Sequence, residues 1–380
     1  MPKLKSDKNF NHGSTSSIGV CIVNLGTPEN TSTAAVRKYL RQFLSDSRVI
    51  EVPKIIWWFI LNIFILPFRP AKSAEAYGKI WMKEGSPLLI FSNEIKDKLQ
   101  VLFDETETNQ KIHIELAMSY GQPSIQQAID NLISKSARKL FLLPMYPQYS
   151  STTTGSVFEN ITKELSRQRW IPEFRYLNHY HDEPEYIETI SKSIKKHWKK
   201  NGRGEKLLFS FHGLPHKMLL DGDPYHCQCY KTARLISKKL LLNENDWFVS
   251  FQSRLGPTKW LEPYTDETLK SWGKSQAGII DVICPGFSVD CLETLEEIAM
   301  ENNELYQEAG GKEIRYISAL NSEKDHITFL YDLIRKNISD WIKVDELIGY
   351  HDIERELKIS RDEALKKVQR NNTITETEGL

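Results

Sequence analysis

IGVCIVNLGTPENTSTAAVRKYLRQF, residues 18–43, holds the pattern that decides the fold. Ile18–Asn24 is a short, β-branched apolar run, which predicts a strand covered on both faces. Asn24-Leu25-Gly26-Thr27-Pro28 closes it with turn residues, and Thr31–Phe43 follows as a helical stretch. A buried strand, a Gly/Pro turn and a helix form the repeating unit of a parallel α/β sheet.

The unit recurs along the chain. Further strands are predicted at Ile112–Met118, Leu140–Leu143, Leu207–Phe211, Trp247–Phe251 and Ile279–Cys284. Helices are predicted at Asn93–Phe103, Ser124–Lys135, Val157–Gln168, Pro184–Lys200, Tyr230–Leu242 and Val289–Gln307. The boundary falls at Phe174–Pro184, where FRYLNHYHDEP breaks the periodicity. With 380 residues, two domains are expected. The reading is α/β, two Rossmann-like domains, each a four-stranded parallel sheet flanked by helices. They span 18–175 (with an apolar segment at 50–70) and 176–321. A helical segment, 322–350, is expected to pack back on the first domain. The first seventeen residues and the last ten, NNTITETEGL, are expected to be disordered, and 351–380 forms a polar, charged tail.

Fifty basic residues balance fifty acidic ones, so no basic stripe for nucleic acid is indicated. A hydrophobic content of 40% supports a sizeable core. Five cysteines (Cys21, Cys227, Cys229, Cys284, Cys291) are odd in number and too few for a stapled secreted scaffold. They suggest a reducing compartment. MPKLKSDKNFNHGSTSS has no apolar core, so no secretory signal is expected and a cytoplasmic location is. GxGxxG and Walker A motifs are missing, so neither a dinucleotide nor a nucleoside triphosphate is implied.

IIWWFILNIFIL, Ile55–Leu66, is twelve residues with only Asn62 polar, fenced by Pro53 and Pro67. That is shorter than the roughly 18–25 residues a membrane span needs. An interfacial helix, an exposed apolar lip and a core helix all fit it. The adjacent tryptophans favour a membrane boundary.

Ligands of open α/β sheets bind outside the strands' carboxyl ends. The exits here read NLGTP, PMYPQYS, SFHGLP, SRLGP and CPGF, aromatic and apolar with isolated polar groups. Such a lining suits a large flat organic ligand. His212, at one exit, can act as base, metal ligand or a carbonyl-bonded structural group. Glu293, Glu297 and Glu301 recur at i, i+4, i+8, with no Lys or Arg from Val289 to Ala309. The stripe reads either as a solvated face or as a path for protons or divalent cations. His226-Cys227-Gln228-Cys229 lacks the paired CxxC spacing of metal sites, even with His216 nearby, and reads as loop cysteines without metal.

VNLGTPENTSTAAVRKYLRQFLSD, YPQYSSTTTGS, SFHGLP, GDPY, FQSRLGPTKWLEPYTDETL and PGFSVDCLETLEEI occur in that order. With them the chain resembles the bacterial ferrochelatases over residues 18–345. The resemblance implies a porphyrin cleft between two Rossmann-like domains and insertion of Fe²⁺ into protoporphyrin IX, the last step of haem biosynthesis. It places the family's histidine on His212 and its metal- and proton-handling glutamate on Glu293. Glu297 and Glu301 continue as an outer relay, and Asp290 matches the aspartate beside the glutamate. Substrate-binding cleft residues fall on Phe287, Trp260, Tyr149 and Tyr120, with Ile50, at the start of the apolar segment, as a further one. The IIWWFILNIFIL stretch takes the place of the lip that meets the membrane, so peripheral membrane association is implied.

Cys291 stands where many eukaryotic members have His, Ser119 where many relatives have Arg, and Ser151 where animal enzymes have a cluster cysteine. With no cysteine after 291, no animal-type [2Fe–2S] cluster is expected. Fe²⁺ is a substrate, and no cofactor is required. The sequence leaves open which of His212 and Glu293 takes protons and which holds iron, and the oligomeric state. Coproporphyrin as substrate and a non-catalytic porphyrin-binding role are the rival readings. The long lip and few basic residues near it favour protoporphyrin.

Overall fold

The computed structural model describes residues 4–5, 15–106, 108, 110–256, 258–342, 358–360, 362–367 and 369. Two four-stranded parallel sheets carry the fold, as the strand–helix pattern predicts. The first has the order β2-β1-β3-β4, from β1 (Ser17–Gly26), β2 (Ile112–Tyr120), β3 (Ala137–Pro144) and β4 (Glu173–Tyr176). The second has the order β6-β5-β7-β8, from β5 (Lys206–His212), β6 (Trp247–Gln252), β7 (Ile279–Ile283) and β8 (Glu313–Ile317). In each sheet the first strand has neighbours on both sides, so the strand order reverses at β1 and at β5. A crevice opens at the carboxyl ends of such strands.

The inner strands are apolar because helices cover both their faces; Ile18, Val20, Ile22, Leu208 and Phe209 are fully buried. One buried cluster runs from β1 and β2 through Tyr180 and Tyr186 to β5 and the Lys324–Asn337 helix, so both sheets share a core. The exit of β3 meets that of β7 directly. Ser288 Oγ donates to the Met145 carbonyl at 2.8 Å and bonds the Tyr180 hydroxyl at 2.9 Å.

Several expectations need correction. β4 (EFRY) overlaps the start of the stretch read as a boundary, and β8 (EIRYI) was not predicted. Lys5, in the expected disordered start, bridges to Gln168 and ion-pairs with Asp130 at 2.9 Å. Residues 358–360 and 362–367 of the polar tail are helical, while the last ten residues, expected to be disordered, lie outside the described residues, as do 370, 343–357, 1–3 and 6–14. His226–Cys229 belong to the Tyr225–Lys239 helix rather than a loop. Cys229 is buried there and Cys227 exposed, so the two thiols do not form a chelating pair.

The apolar segment is one 27-residue helix, Lys54–Ile80, continuing through Pro67 and Pro70. By length and composition it could cross a membrane, so the limit read from twelve residues does not apply. A π-helical stretch, Ile60–Ile65, precedes the prolines. Pro70 has no N–H for the Leu66 carbonyl, and Arg37 Nε donates to that oxygen instead at 3.1 Å. Leu61, Leu66, Ala74, Tyr77 and Ile80 are buried against the Thr33–Leu44 helix. Ile55, Trp58, Phe64 and Phe68 are each more than half exposed on the other side.

Candidate active site

His212 is the last residue of β5 and is half-buried. Its Nδ1 donates to the Gly213 carbonyl at 2.7 Å, which leaves the Nε2 lone pair free. Gly213 is required for packing: a Cβ there would stand 2.7 Å from the Gln252 carbonyl oxygen and 3.2 Å from the Trp260 ring. The structural reading of His212 as carbonyl-bonded is therefore correct for one nitrogen and leaves the other for chemistry.

Gln252 pairs with His212 across β5 and β6 and is 3% exposed. Its Oε1 accepts from Ser210 Oγ at 2.7 Å. Its Nε2 donates to the Glu293 carbonyl at 2.8 Å and to the Glu297 carboxylate at 3.1 Å. Ser253 adds its backbone N–H to Glu297 at 2.7 Å and its hydroxyl to the same carboxylate. Burial pushes the Glu297 carboxyl above the ordinary glutamate range, while Ser253, the nearby His212 and Gln252 oppose that rise. Gln252 and Ser253 were not identified from sequence; the only signal was their place at a strand exit.

The acidic helix also differs from its expected form. It starts at Glu293 rather than Val289 and is π-helical to Asn302, then α-helical as Asn303–Glu308. In an α-helix each i+4 step rotates the side chain by about 40°. A π-turn bonds i to i+5, which widens the turn, and Glu293, Glu297 and Glu301, four residues apart, stay on one side of the helix. Glu293 and Glu297 are half-buried, and Glu301 is exposed.

Asp290 sets the start of this helix. It is 4% exposed and accepts from Tyr316 Oη at 2.6 Å, Asn321 Nδ2 at 2.7 Å and Thr294 Oγ1 at 3.0 Å. On the other side stand Tyr39, Tyr77 and Arg69, within electrostatic reach of Glu293. Burial chiefly, with the Glu293 charge adding to it, holds the Tyr39 and Tyr77 phenols far above their ordinary value. Lys79 of the lip helix ion-pairs with Glu296 at 2.8 Å, and Leu292 and Leu295 pack on the lip's buried side. Lip and acidic helix are thus joined.

Trp260 packs over Gly213, with its Nε1–H on the Leu255 carbonyl at 2.9 Å, and is half-buried. Phe287 is half-buried between the core clusters at the β7 exit. Tyr149 follows β3, its backbone N–H donating to Gln228 Oε1 at 2.7 Å. Tyr120 is 3% exposed and its hydroxyl donates to Asp46 at 2.8 Å, so its ring supports the lip from behind. Ile50 lines a cavity of about 300 Å³ with Trp57, Trp58 and Arg41, beneath the start of the lip helix.

An imidazole, a carboxylate file reaching solvent and aromatic walls meet at two strand exits, a combination suited to metal and proton transfer at a flat ligand. Comparison with known proteins agrees. The ferrochelatase family model matches residues 17–338. The ferrochelatase of Pseudoalteromonas atlantica is 47% identical over 339 residues, covering 89% of this chain and 94% of the relative. That of Nitrosococcus oceani is 47% identical over 342 residues, covering 90% and 92%. Among solved structures, SirB from Bacillus subtilis with Fe³⁺ superposes with a TM-score of 0.50 at 12% identity, over 85% of this chain and 97% of that one. That likeness concerns the fold alone. The family match runs through both sheets and every residue of the site between them, and the chain belongs to the ferrochelatase family.

Proposed function

We propose that protoporphyrin IX is the porphyrin this ferrochelatase metallates, with His212 Nε2 holding the incoming Fe²⁺ and Glu293 receiving the pyrrole protons. Insertion exchanges two N–H protons for one Fe²⁺, so the site needs a metal donor and a proton acceptor together. The observation that carries this reading is Gln252, which joins the His212 strand to both Glu293 and Glu297. Glu297, with its raised pKa, suits the next step of a proton relay toward Glu301 and water. Imidazole and carboxylate ligate Fe²⁺ without the grip of thiolates, so release into the ring remains feasible.

The apolar exterior of the lip helix supports peripheral contact with a bilayer, where apolar porphyrin partitions. We assign no resident cofactor. The thiols of Cys229, Cys284 and Cys291 are driven up by burial, that of Cys21 to about 12, which makes them inert packing groups rather than ligands. The test is anaerobic Fe²⁺ insertion with protoporphyrin IX and coproporphyrin III side by side. A higher kcat/KM for protoporphyrin supports the reading, and a higher value for coproporphyrin overturns the substrate assignment.

A further inference from the structure

We propose that the crossover between the two sheets carries a separate site for a divalent first-row transition metal, built from His179, His181 and Asp182. The three follow β4 and precede the Pro184–Asn201 helix. One ligand atom of each lies within 4.8 Å of the others. His181 is 4% exposed, yet its Nδ1 has no hydrogen-bond partner. That nitrogen faces Asp182 Oδ1 at 3.7 Å. Two ligands on a tetrahedral ion with bonds of 2.0–2.1 Å stand about 3.4 Å apart, so little closure is needed. His179 Nδ1 donates to Asn178 Oδ1 at 3.0 Å, which leaves its Nε2 lone pair free, and the two imidazole centroids are 5.0 Å apart.

Two imidazoles and one carboxylate suit Zn²⁺, Co²⁺, Ni²⁺ or Fe²⁺ better than Mg²⁺ or Ca²⁺, which prefer oxygen. Lys231 Nζ holds the other carboxylate oxygen at 2.5 Å. Its charge weakens cation binding, so the ion should exchange rather than be trapped. Thr232, next to Lys231, donates to the His181 carbonyl at 2.9 Å and accepts from Gln148 at 3.0 Å. An ion here would therefore tie the crossover to the helix that positions Tyr149.

The test is calorimetric titration of Zn²⁺ into the full-chain His212→Ala/Glu293→Gln protein without porphyrin, so that the active-site pair does not contribute. High-affinity uptake is expected, with Mg²⁺ taken up far more weakly. Adding His179→Gln or Asp182→Asn, both at solvent-accessible positions, should weaken it by more than the roughly 10–100-fold typical of losing an outer-shell partner. Circular dichroism on each protein verifies folding. Zn²⁺ affinity unchanged in both added variants, or equal affinity for Mg²⁺, would overturn the proposal.

Discussion

Ser253 donates its backbone N–H to Glu297 Oε1 at 2.7 Å from a left-handed conformation, φ 63°. A non-glycine residue there costs about 1–2 kcal/mol and persists where its surroundings enforce it. The strained residue directly follows β6 and turns both its donors onto one carboxylate. Burial pushes the Glu297 carboxyl pKa up, and these bonds, which favour the ionised form, oppose that rise.

Ser253→Ala keeps the N–H and loses the hydroxyl. Removing a donor to the charged form raises the carboxyl pKa further. The acid limb of kcat/KM should move to higher pH, with little change in the limiting rate. A pH–rate profile of both proteins checks this, and an unmoved limb would leave Ser253 a purely structural role.

The acidic file should be graded. Glu297→Gln should lower kcat by about 10²-fold, the low end for a positioned acid–base group. Glu301→Gln, at an exposed position, should act mainly at low iron, raising the KM for Fe²⁺ because water can substitute along an open path. Initial rates across an iron series separate the two. Equal small effects would mark the stripe as a solvated face.

The lip's two sides should respond differently. Trp58→Ser and Phe64→Ser alter exposed rings, so they should weaken binding to anionic vesicles with little change in Tm. Trp57 donates from Nε1 to the Leu44 carbonyl at 2.5 Å, so Trp57→Ser should lower Tm. Vesicle sedimentation and thermal unfolding provide the two readings.

Much of this was legible in the sequence, for physical reasons. β1, β3, β5 and β7 are inner strands without solvent faces, so their apolar runs declared them. EFRY and EIRYI are edge strands with charges interleaved, and their residues match turn or boundary as well as strand. The helix beyond Pro67 was hidden because a second breaker, Pro70, is answered from elsewhere, by Arg37 on the Leu66 carbonyl. His212 and Glu293 stood out as reactive types at strand exits. Gln252 and Ser253 did not, since an amide and a hydroxyl acquire their roles only when a distant helix is laid across them.

His326, fully buried, should set an acid limit on stability. Burial lowers its pKa from 6.5 to about 4, against the Asn321 carbonyl that accepts from Nδ1 at 2.6 Å. A base with a depressed folded pKa contributes stability above its unfolded value and loses it as the pH falls. The loss should run from pH 6.5 to about 4 and amount to about 3 kcal/mol. Urea unfolding across this range checks it. His326→Asn, whose amide keeps the donor, should flatten that part of the pH dependence.

The central claim is that His212 and the acidic helix form one metallation centre. Its most direct measurement is anaerobic Fe²⁺ insertion into protoporphyrin IX by His212→Ala, alongside fluorescence titration of porphyrin binding. His212 lies outside the apolar core and its imidazole bonds only the adjacent carbonyl, so the variant should fold. Turnover should fall by at least about 10³-fold, within the range for a lost catalytic group, while the porphyrin Kd stays within a few-fold. Near-normal turnover by the folded variant would contradict the account.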